Sequence, residues 1–320
     1  MKKNKIKDTG LEITELSFGT SSLGSMPDTY GYEVPEDRAQ KTLNRFFQGP
    51  VNMLDTSRNY AMGESEKRIG RAIKENGGWP KDFLLSTKLD RNMDTLVLDK
   101  NRARESLEES LKTLNVDSVD ILFLHDPEYA KDITDITKKD GAMDELFKIK
   151  NEGLAKAVGV AMGKVDIMFP LLKDWDFDVV INHNRYTLIN REANEMYDYA
   201  SSKNIAIFNA APYAGGVLAK GPDNFKKVTY QDATEEKLAP AREFEKVCKK
   251  HNVELGAAAL QFSLRDNRIT STICGVTSVE SIEKNLAWAN AEISGEFWDE
   301  ISKLPFSIND PESERVFTPG

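Results

Sequence analysis

The chain has 320 residues, of which 40% are hydrophobic and 30% charged, as in ordinary globular proteins that bury a sizeable core. Its net charge of −9 argues against a nucleic-acid partner, because no basic face would offset repulsion from phosphates. No run of about 18 apolar residues occurs, so we expect no membrane span. Cys248 and Cys274 lack Cys or His neighbours at ligand spacing, so we expect buried thiols and a cytoplasmic location.

Short apolar runs rich in β-branched residues alternate along the chain with longer segments of helical period. Several runs, such as Val179-Val180-Ile181, are apolar on both faces, as expected of parallel strands covered by helices. The runs predict eight strands, at residues 16–20, 51–56, 83–88, 119–125, 155–161, 177–183, 205–211 and 270–276.

The segments between these runs predict helices. The first begins near Pro35, with Glu36 and Asp37 in its first turn, and ends before Gly49-Pro50. The third covers residues 101–114 and has Asn101 as its expected cap. The others are predicted at residues 64–75, 143–151, 164–173, 191–203, 236–251 and 279–290.

Eight strand–helix alternations with right-handed crossovers favour an α/β fold with one domain over residues 1–320, closed as a (β/α)₈ TIM barrel. An open doubly wound sheet is the alternative, but no Gly-x-Gly-x-x-Gly follows the first strand. The irregular stretches 126–141 and 221–234 follow strands, so they would lie on the catalytic face. From about residue 305 we expect an irregular tail.

Four ionisable side chains stand at the ends of successive predicted strands. Asp55 ends the second strand with Tyr60 just beyond it, Lys88 ends the third, and His125 ends the fourth. Alone, each has a structural explanation as a turn former, a solvated side chain or a loop anchor. In a barrel these junctions converge on one pocket, so together they favour a catalytic site.

Hydride transfer at a carbon that bears oxygen needs a group that exchanges the oxygen's proton. We expect Tyr60 to be this general acid/base, with its pKa lowered towards neutrality by the ammonium of Lys88. Asp55 would hold that ammonium, and His125 would donate to the reacting oxygen and orient the substrate. No metal is expected, because the other two histidines lack partners at ligand spacing.

The segments 52–66, 85–88 and 122–125 resemble the aldo-keto reductase superfamily, whose Asp, Tyr, Lys and His tetrad matches Asp55, Tyr60, Lys88 and His125. The resemblance runs from residues 16–20 to residues 275–288. It implies a (β/α)₈ barrel, a nicotinamide cofactor bound without a Rossmann fold, and Tyr60 as the general acid/base.

The resemblance also indicates the cofactor. Members specific for NADP commonly carry a Lys and an Arg after strand eight that clamp the 2′-phosphate, and Gly275 and Ser281 occupy those positions here. NAD is therefore expected, while the charge of Lys284 leaves NADP as the alternative. The cofactor contacts implied by the resemblance are Gly19, Thr20, Asp55, Asn182, Pro212, Tyr213, Gly215, Leu218, Gly275, Thr277, Ser281 and Asn285.

Two departures from the family pattern concern the nicotinamide. Ala210 replaces the aromatic residue that often stacks on the ring, and Ala161-Met162 replaces the usual Ser-Asn pair after strand five. The residues that could compensate are Tyr213 or Phe208 at the ring, and Asn182 or His183 at the carboxamide.

Residues 153–162, 185–188 and 257–262 are most similar to the sugar 1-dehydrogenase branch, the D-threo-aldose, L-fucose and L-galactose dehydrogenase-like enzymes. This implies oxidation of the anomeric hydroxyl of a free aldose, such as L-fucose, L-galactose or D-arabinose, to a lactone, with Tyr60 mainly as a base. The partner would be a small-molecule sugar or aldehyde, and the chain a monomer or homodimer. Two alternatives remain: a broad aldehyde or ketone reductase or pyridoxal dehydrogenase, and a non-catalytic redox-sensor subunit that binds the cofactor.

Overall fold

The computed structural model describes residues 1–315 and contains a closed barrel of eight parallel strands. The strands follow one another around the barrel in chain order, and the last pairs with the first to close it. The predicted (β/α)₈ fold is therefore confirmed. The strands are β1 Leu16–Gly19, β2 Met53–Asp55, β3 Leu84–Leu89, β4 Val119–His125, β5 Ala155–Met162, β6 Val179–His183, β7 Ala206–Ala210 and β8 Ile269–Gly275.

Helices lie between successive strands and cover the barrel. The longer helices are Glu36–Phe47, Glu64–Glu75, Lys100–Leu114, Ala142–Asn151, Val165–Asp174, Asn194–Ser202, Glu235–Lys250, Leu255–Leu264, Val279–Ala289 and Gly295–Ile301. Short helical turns lie in the loops at Ser21–Gly24, Pro27–Tyr30, Tyr60–Gly63, Pro127–Tyr129, Thr134–Thr137, Ala214–Gly216 and Val217–Lys220.

The helix Leu255–Leu264 was not predicted, because it is buried and apolar around most of its circumference and so shows no helical period. Gly295–Ile301 was also missed. The cap expected at Asn101 was wrong: the helix begins after Asp99, whose Oδ1 accepts a hydrogen bond of 2.9 Å from the Arg102 amide. Asp and Asn are both preferred at the N-cap of a helix, so the sequence alone does not show which of the two residues caps this one.

The interior of the barrel is filled by apolar side chains from alternate strand positions, among them Met53, Phe123 and Phe208. An antiparallel hairpin formed by Lys3–Ile6 and Leu11–Thr14 packs apolar side chains against these residues. The carboxyl ends of the strands face a cavity, and this is where the predicted ionisable residues lie.

Residues 305–315 contain no helix and only an isolated bridge between Asn190 and Ser307. The segment is nevertheless docked on the barrel. Its Glu312 is 3% exposed and lies 3.2 Å from the guanidinium of the fully buried Arg185, which follows β6. The tail therefore contributes to the wall of the barrel mouth.

Candidate active site

A cavity of about 490 Å³ opens at the carboxyl ends of the strands. Asp55, Tyr60, Lys88 and His125, from the ends of β2, β3 and β4, all line it. The parallel pairing of these strands carries the four side chains to one place, because Asp55 lies beside Ser86 and Lys88 beside Phe123 in register. The structure thus brings the predicted tetrad together in a single site.

Asp55 and Lys88 form a buried ion pair at the base of this cavity. The Nζ atom of Lys88 lies 2.9 and 2.8 Å from the two carboxylate oxygens and also donates to the carbonyl oxygen of Thr56 at 2.6 Å. The hydroxyl of Ser86 donates to Asp55 at 2.6 Å. Because every donor and acceptor has a partner, both charges are held in fixed positions.

Tyr60 follows β2 on a strained turn. Ala61 and Met62 both adopt left-handed backbone conformations, which cost L residues roughly 1–2 kcal/mol each, and such strain is common beside functional groups. The Lys88 ammonium lies 4.7 Å from the centroid of the Tyr60 ring, and the ring of His125 meets it edge to face at 5.7 Å.

The expectation that Lys88 lowers the pKa of Tyr60 is contradicted. Burial, followed by the charge of Asp55, raises the pKa of Tyr60 well above its ordinary value of 10.0. Asp55 neutralises the lysine at close range, so the ammonium gives a phenolate little net stabilisation. At neutral pH Tyr60 is therefore a phenol, a hydrogen-bond and proton donor.

His125 is paired with a residue that the sequence analysis missed. Its Nδ1 lies 2.5 Å from Oδ1 of the fully buried Asp90 and 3.2 Å from the hydroxyl of Ser57. Asp90 stands two residues beyond Lys88, so strand alternation places both side chains on the same face. The two-residue spacing from Lys88 was therefore a signal in the sequence that could have placed Asp90 at the site.

The ionisation of His125 reflects this environment. Burial lowers the pKa of the imidazole, but the carboxylates of Asp126 and Asp90 outweigh it, and the net pKa is raised above the ordinary 6.5. Asp126 contributes from the other side of the ring, with Oδ2 3.7 Å from Nε2. The ring of His125 is therefore suited to give or take a proton.

Most of the residues expected to contact the cofactor share this cavity. Those that line it are Gly19, Asp55, Tyr213, Gly215, Gly275, Thr277, Ser281 and Asn285. Gly215 has a φ of +75° and a Cβ there would lie 2.7 Å from the Tyr230 amide, so the loop after β7 packs tightly against residues 229 and 230. This contact brings Tyr230 into the cavity wall.

Four expected cofactor contacts do not line the cavity: Thr20, Asn182, Pro212 and Leu218. Thr20 is buried and donates to the Asp55 carbonyl at 2.9 Å, which joins β1 to β2. Asn182 is buried and donates from its amide nitrogen to the carbonyls of Met162 and Gly163, at 3.1 and 2.8 Å. The Thr20 hydroxyl and the Asn182 amide nitrogen therefore hold the backbone at strand ends, while Oδ1 of Asn182 has no hydrogen-bond partner among residues 1–315.

The two candidates for stacking on the nicotinamide are placed differently. Phe208 lies in the barrel interior against Phe123, with ring centroids 6.2 Å apart, and does not reach the cavity. Tyr213 lines the cavity, and its contacts with Trp288 (edge to face, 5.6 Å) and Asn285 (hydroxyl donating at 2.5 Å) fix its ring there, so it remains the candidate. His183 lines the cavity and remains the candidate for the carboxamide.

The two residues at the position of the missing phosphate clamp, Gly275 and Ser281, carry no charge, and a cation lies nearby. The hydroxyl of Ser281 accepts from the amides of Thr277 and Ser278 at 3.0 Å and donates to the Ser278 carbonyl at 2.6 Å. It is therefore engaged in the capping box of the helix Val279–Ala289. Lys284 is the cation here, with Nζ 4.7 Å from the centroid of Trp288.

The described residues fit a nicotinamide dinucleotide. The tetrad surrounds one part of the cavity, while Thr277, Ser281 and Asn285 offer hydroxyl and amide groups in another. The space above Gly275 is open, since an added Cβ would meet nothing nearer than the Ser22 hydroxyl at 3.9 Å. Such a glycine lets a ligand approach the backbone closely.

Other features bear on the setting of the site. Within residues 1–315 no helix is both long and apolar enough to cross a membrane. Cys248 and Cys274 are buried free thiols, as predicted. The loops after β3 and β4 add Arg91, Asp126 and Tyr129 to the cavity wall, so the stretch beginning at residue 126 does lie on the catalytic face.

Comparisons with known proteins agree with this geometry. A model described as the aldo/keto reductase family matches residues 15–305. L-galactose dehydrogenase of Arabidopsis thaliana is 30% identical over 88% of this chain and 85% of its own length, and D-threo-aldose 1-dehydrogenase of a Pseudomonas species is 27% identical over 92% and 94%. Both fit the expected sugar dehydrogenase branch.

A solved aldo-keto reductase from Bacillus halodurans, in its holo form, is 21% identical over 99% of this chain and 100% of its own, and superposes with a TM-score of 0.79. That likeness concerns the fold alone. The family match spans the whole barrel that carries Asp55, Tyr60, Lys88 and His125. This protein therefore belongs to the aldo/keto reductase family of NAD(P)-dependent oxidoreductases.

Proposed function

We propose that this protein oxidises the anomeric hydroxyl of a free aldose to a lactone and uses NAD as the hydride acceptor. The observation that carries the proposal is the convergence of Tyr60, Lys88, Asp55 and His125 on one cavity. The named activities of the L-galactose and D-threo-aldose dehydrogenases, which match most of the chain, support the substrate class.

Tyr60 is the proton-transfer residue in this proposal. Its hydroxyl oxygen accepts the hydrogen bond from the anomeric hydroxyl, and the Lys88–Asp55 pair holds the surroundings of the ring fixed. Because the pKa of Tyr60 is raised, the phenol accepts the sugar's proton only as it hands its own proton to a neighbour. That neighbour is His125, whose ring centroid lies 5.7 Å from the centroid of the Tyr60 ring.

The cofactor preference is for NAD. When bound, the nicotinamide supplies a hydride acceptor, and His183, Thr277, Asn285 and the backbone around Gly275 are the groups that would hold the dinucleotide. No basic side chain stands at Gly275 or Ser281, and the Ser281 hydroxyl is engaged in the helix cap. A 2′-phosphate would therefore lack the bidentate cation that such groups favour.

The cavity wall around the tetrad carries polar groups that can pair with the hydroxyls of a sugar. Asn59, Arg91, Asp126, Tyr129 and His183 line the same cavity as the tetrad. Together they offer amide, guanidinium, carboxylate, phenol and imidazole groups at fixed positions. A site with such groups discriminates strongly in favour of substrates that pair with them.

The free and buried thiols Cys248 and Cys274 support a reducing compartment, and we place the enzyme in the cytoplasm, as a monomer or homodimer.

Reduction of an aldehyde is the second candidate, and the raised pKa of Tyr60 favours it. A neutral phenol is ready to donate a proton to a carbonyl oxygen. NADH-specific methylglyoxal reductase of Escherichia coli, which is 23% identical to this chain, is named for a reduction of this kind, whereas pyridoxal 4-dehydrogenase of Microbacterium luteolum, at 25%, is named for an oxidation.

The test is a kinetic screen of purified enzyme in both directions. L-galactose, L-fucose, D-arabinose and pyridoxal would each be offered with NAD and with NADP, and methylglyoxal with NADH and NADPH. We expect the highest kcat/KM with NAD and an aldose. Activity confined to NADPH and aldehydes would refute the proposal and favour the reductase.

A further inference from the structure

Asp90 and His125 meet because β3 and β4 are neighbours in register. Leu89 pairs with Leu124. The residues that follow them, Asp90 and His125, therefore lie side by side at the mouth of the barrel. The Nδ1 and Oδ1 atoms are 2.5 Å apart, so the two side chains share a direct, short hydrogen bond.

The second carboxylate oxygen of Asp90 is held separately. Its Oδ2 accepts from the hydroxyl of Ser57 at 2.6 Å and from the backbone amide of Asn59 at 3.1 Å. These donors come from the loop between β2 and Tyr60, so the same loop that presents the tyrosine also fixes Asp90. This leaves Oδ1 for His125 alone.

Asp90 is a carboxylate at neutral pH. Burial raises the pKa of the group, but the charge and hydrogen bond of His125 and the Ser57 hydroxyl outweigh burial, and the net pKa lies below the usual value of 3.8. An ionised carboxylate can only accept hydrogen bonds. The hydrogen between the two residues must therefore be carried by Nδ1 of His125.

This assignment fixes the chemistry of the other ring nitrogen. A neutral imidazole with hydrogen on Nδ1 has a lone pair on Nε2, which accepts a proton and cannot donate one. Nε2 lies on the side of Asp126, and His125 lines the cavity. Only the imidazolium would donate from Nε2.

We propose that Asp90 is a positioning residue that makes His125 the final proton acceptor of the site, beyond orienting the substrate. The proposal rests on the proposed sugar oxidation for the direction of proton flow. The O–H bond of the anomeric hydroxyl breaks, its proton passes to the Tyr60 oxygen, and the proton of Tyr60 passes to Nε2 of His125. The electron pair left on the sugar oxygen forms the C=O bond as the carbon gives its hydride to NAD, so the sugar is oxidised and NAD reduced. Asp90 then balances the imidazolium.

The charged groups around His125 agree with this role. Asp90 and Lys88 face it from β3, Asp126 follows it in the chain, and Tyr60 packs on it from the loop after β2. Lys88 is neutralised by Asp55, whereas among residues 1–315 Asp90 is the one carboxylate within hydrogen-bond distance of the ring. Removing the charge of Asp90 should therefore change both the tautomer and the titration of His125.

The first test is nitrogen NMR of the histidine rings in the free protein. The chain has three histidines, so His183→Gln and His251→Gln variants assign His125 without ambiguity. We expect the neutral form of His125 to carry hydrogen on Nδ1. In Asp90→Asn the titration should move to lower pH and the hydrogen should move in part to Nε2.

Asp126→Asn is the matched control, because it removes the other nearby carboxylate and leaves the Nδ1 hydrogen bond intact. This variant should also lower the titration of His125 but keep the hydrogen on Nδ1. A wild-type ring with hydrogen on Nε2, or an Asp90→Asn variant with an unchanged tautomer, would overturn the proposal.

The second test is the pH profile of aldose oxidation. A base must be deprotonated to act, so the rate should fall as pH drops through the titration of His125. In Asp90→Asn this acidic limb should move to lower pH, and kcat should fall about tenfold or more while the Kd for NAD stays unchanged. An unmoved limb would contradict the proposal. Because NMR needs no substrate, failure of the sugar activity and failure of the Asp90–His125 pair are separately observable.

Discussion

The ammonium of Lys88 and the carboxylate of Asp55 face each other at the base of the cavity, with both oxygens within 2.9 Å of Nζ. Lys88 is 1% exposed and Asp55 4%. The pair is therefore almost dry, and each charge depends on the other. The pair lies directly beneath the Tyr60 ring, and after burial the charge of Asp55 is the next cause that raises the pKa of the phenol.

Lys88→Met should destabilise the protein strongly, because it leaves the Asp55 carboxylate buried without a counter-ion. Breaking a buried pair in this way costs about 3–5 kcal/mol of unfolding free energy. Urea denaturation measures it. Lys156→Met is the control: Lys156 binds Asp120 at 2.9 Å with a side chain that is 60% exposed, so the loss should stay below about 1 kcal/mol. Similar losses in both variants would contradict the role of burial.

Tyr60→Phe should reduce kcat for aldose oxidation by about 10²–10⁴-fold, the usual contribution of a general acid/base. The Kd for NAD should remain within about twofold, because the ring still packs on Lys88 and His125. Tyr199→Phe, on the outer helix Asn194–Ser202, should leave both quantities unchanged. Retained turnover in the Tyr60 variant would remove the hydroxyl from the mechanism.

Gly275→Lys should raise the affinity for NADP relative to NAD by about tenfold or more, since a charge-assisted hydrogen bond contributes about 1.5–3 kcal/mol. The substitution is sterically open, with the nearest atom 3.9 Å from an added Cβ. Gly275→Gln adds a side chain of similar length without charge and should leave the ratio of the two Kd values unchanged. Fluorescence titration measures both, and equal changes in the two variants would count against a phosphate clamp.

Glu66→Gln should stabilise the protein above neutral pH. Burial raises the pKa of Glu66 to about 7 from 4.5, although a hydrogen bond of 2.6 Å from the Thr87 hydroxyl opposes the rise. The folded state thus binds a proton that the unfolded state has lost, so this stability is full below about pH 4.5 and disappears as pH rises through about 7. The variant should have a higher Tm than wild type at pH 8, and the gain should shrink at pH 5. Glu108→Gln, on an exposed face, should give no such trend.

Glu312→Gln should loosen the docked tail, because it removes the charge facing the buried Arg185. Asp310 still binds the same guanidinium, so we expect a loss of about 1–3 kcal/mol of unfolding free energy and faster proteolysis within residues 305–315. Glu314→Gln is the control, since that side chain is exposed and pairs with Lys237 on the surface. Equal proteolysis of the two variants would show that Glu312 does not hold the tail.

The sequence predicts the barrel and its four ionisable residues well, because strand ends carry a local signal. Asp55, Lys88 and His125 each close an apolar run, and the barrel converts their order along the chain into proximity. Asp90 also stands at a strand end, one residue past β3, but an Asp at that position is equally typical of a turn. Only the register between β3 and β4 reveals its partner.

Other features had no local signal. Glu312 and Arg185 are 127 positions apart in the chain, and no sequence pattern around either residue predicts that they pair. Phe208 looked suited to stack on a ring, yet strand alternation turns it into the barrel interior. The pKa of Tyr60 was misjudged because the pattern showed a nearby lysine but neither the burial of the phenol, which is the main cause of the raised pKa, nor the charge of Asp55 beside it.

The most direct test of the central claim is the ratio of kcat/KM for NAD and NADP with L-galactose, L-fucose and D-arabinose, measured in wild type and in Tyr60→Phe. We predict NAD-dependent oxidation of at least one of these sugars to its lactone, a clear preference for NAD over NADP, and near-complete loss of turnover in the variant. A wild-type enzyme that binds NAD but oxidises none of the three, while reducing aldehydes with NADPH, would contradict the account.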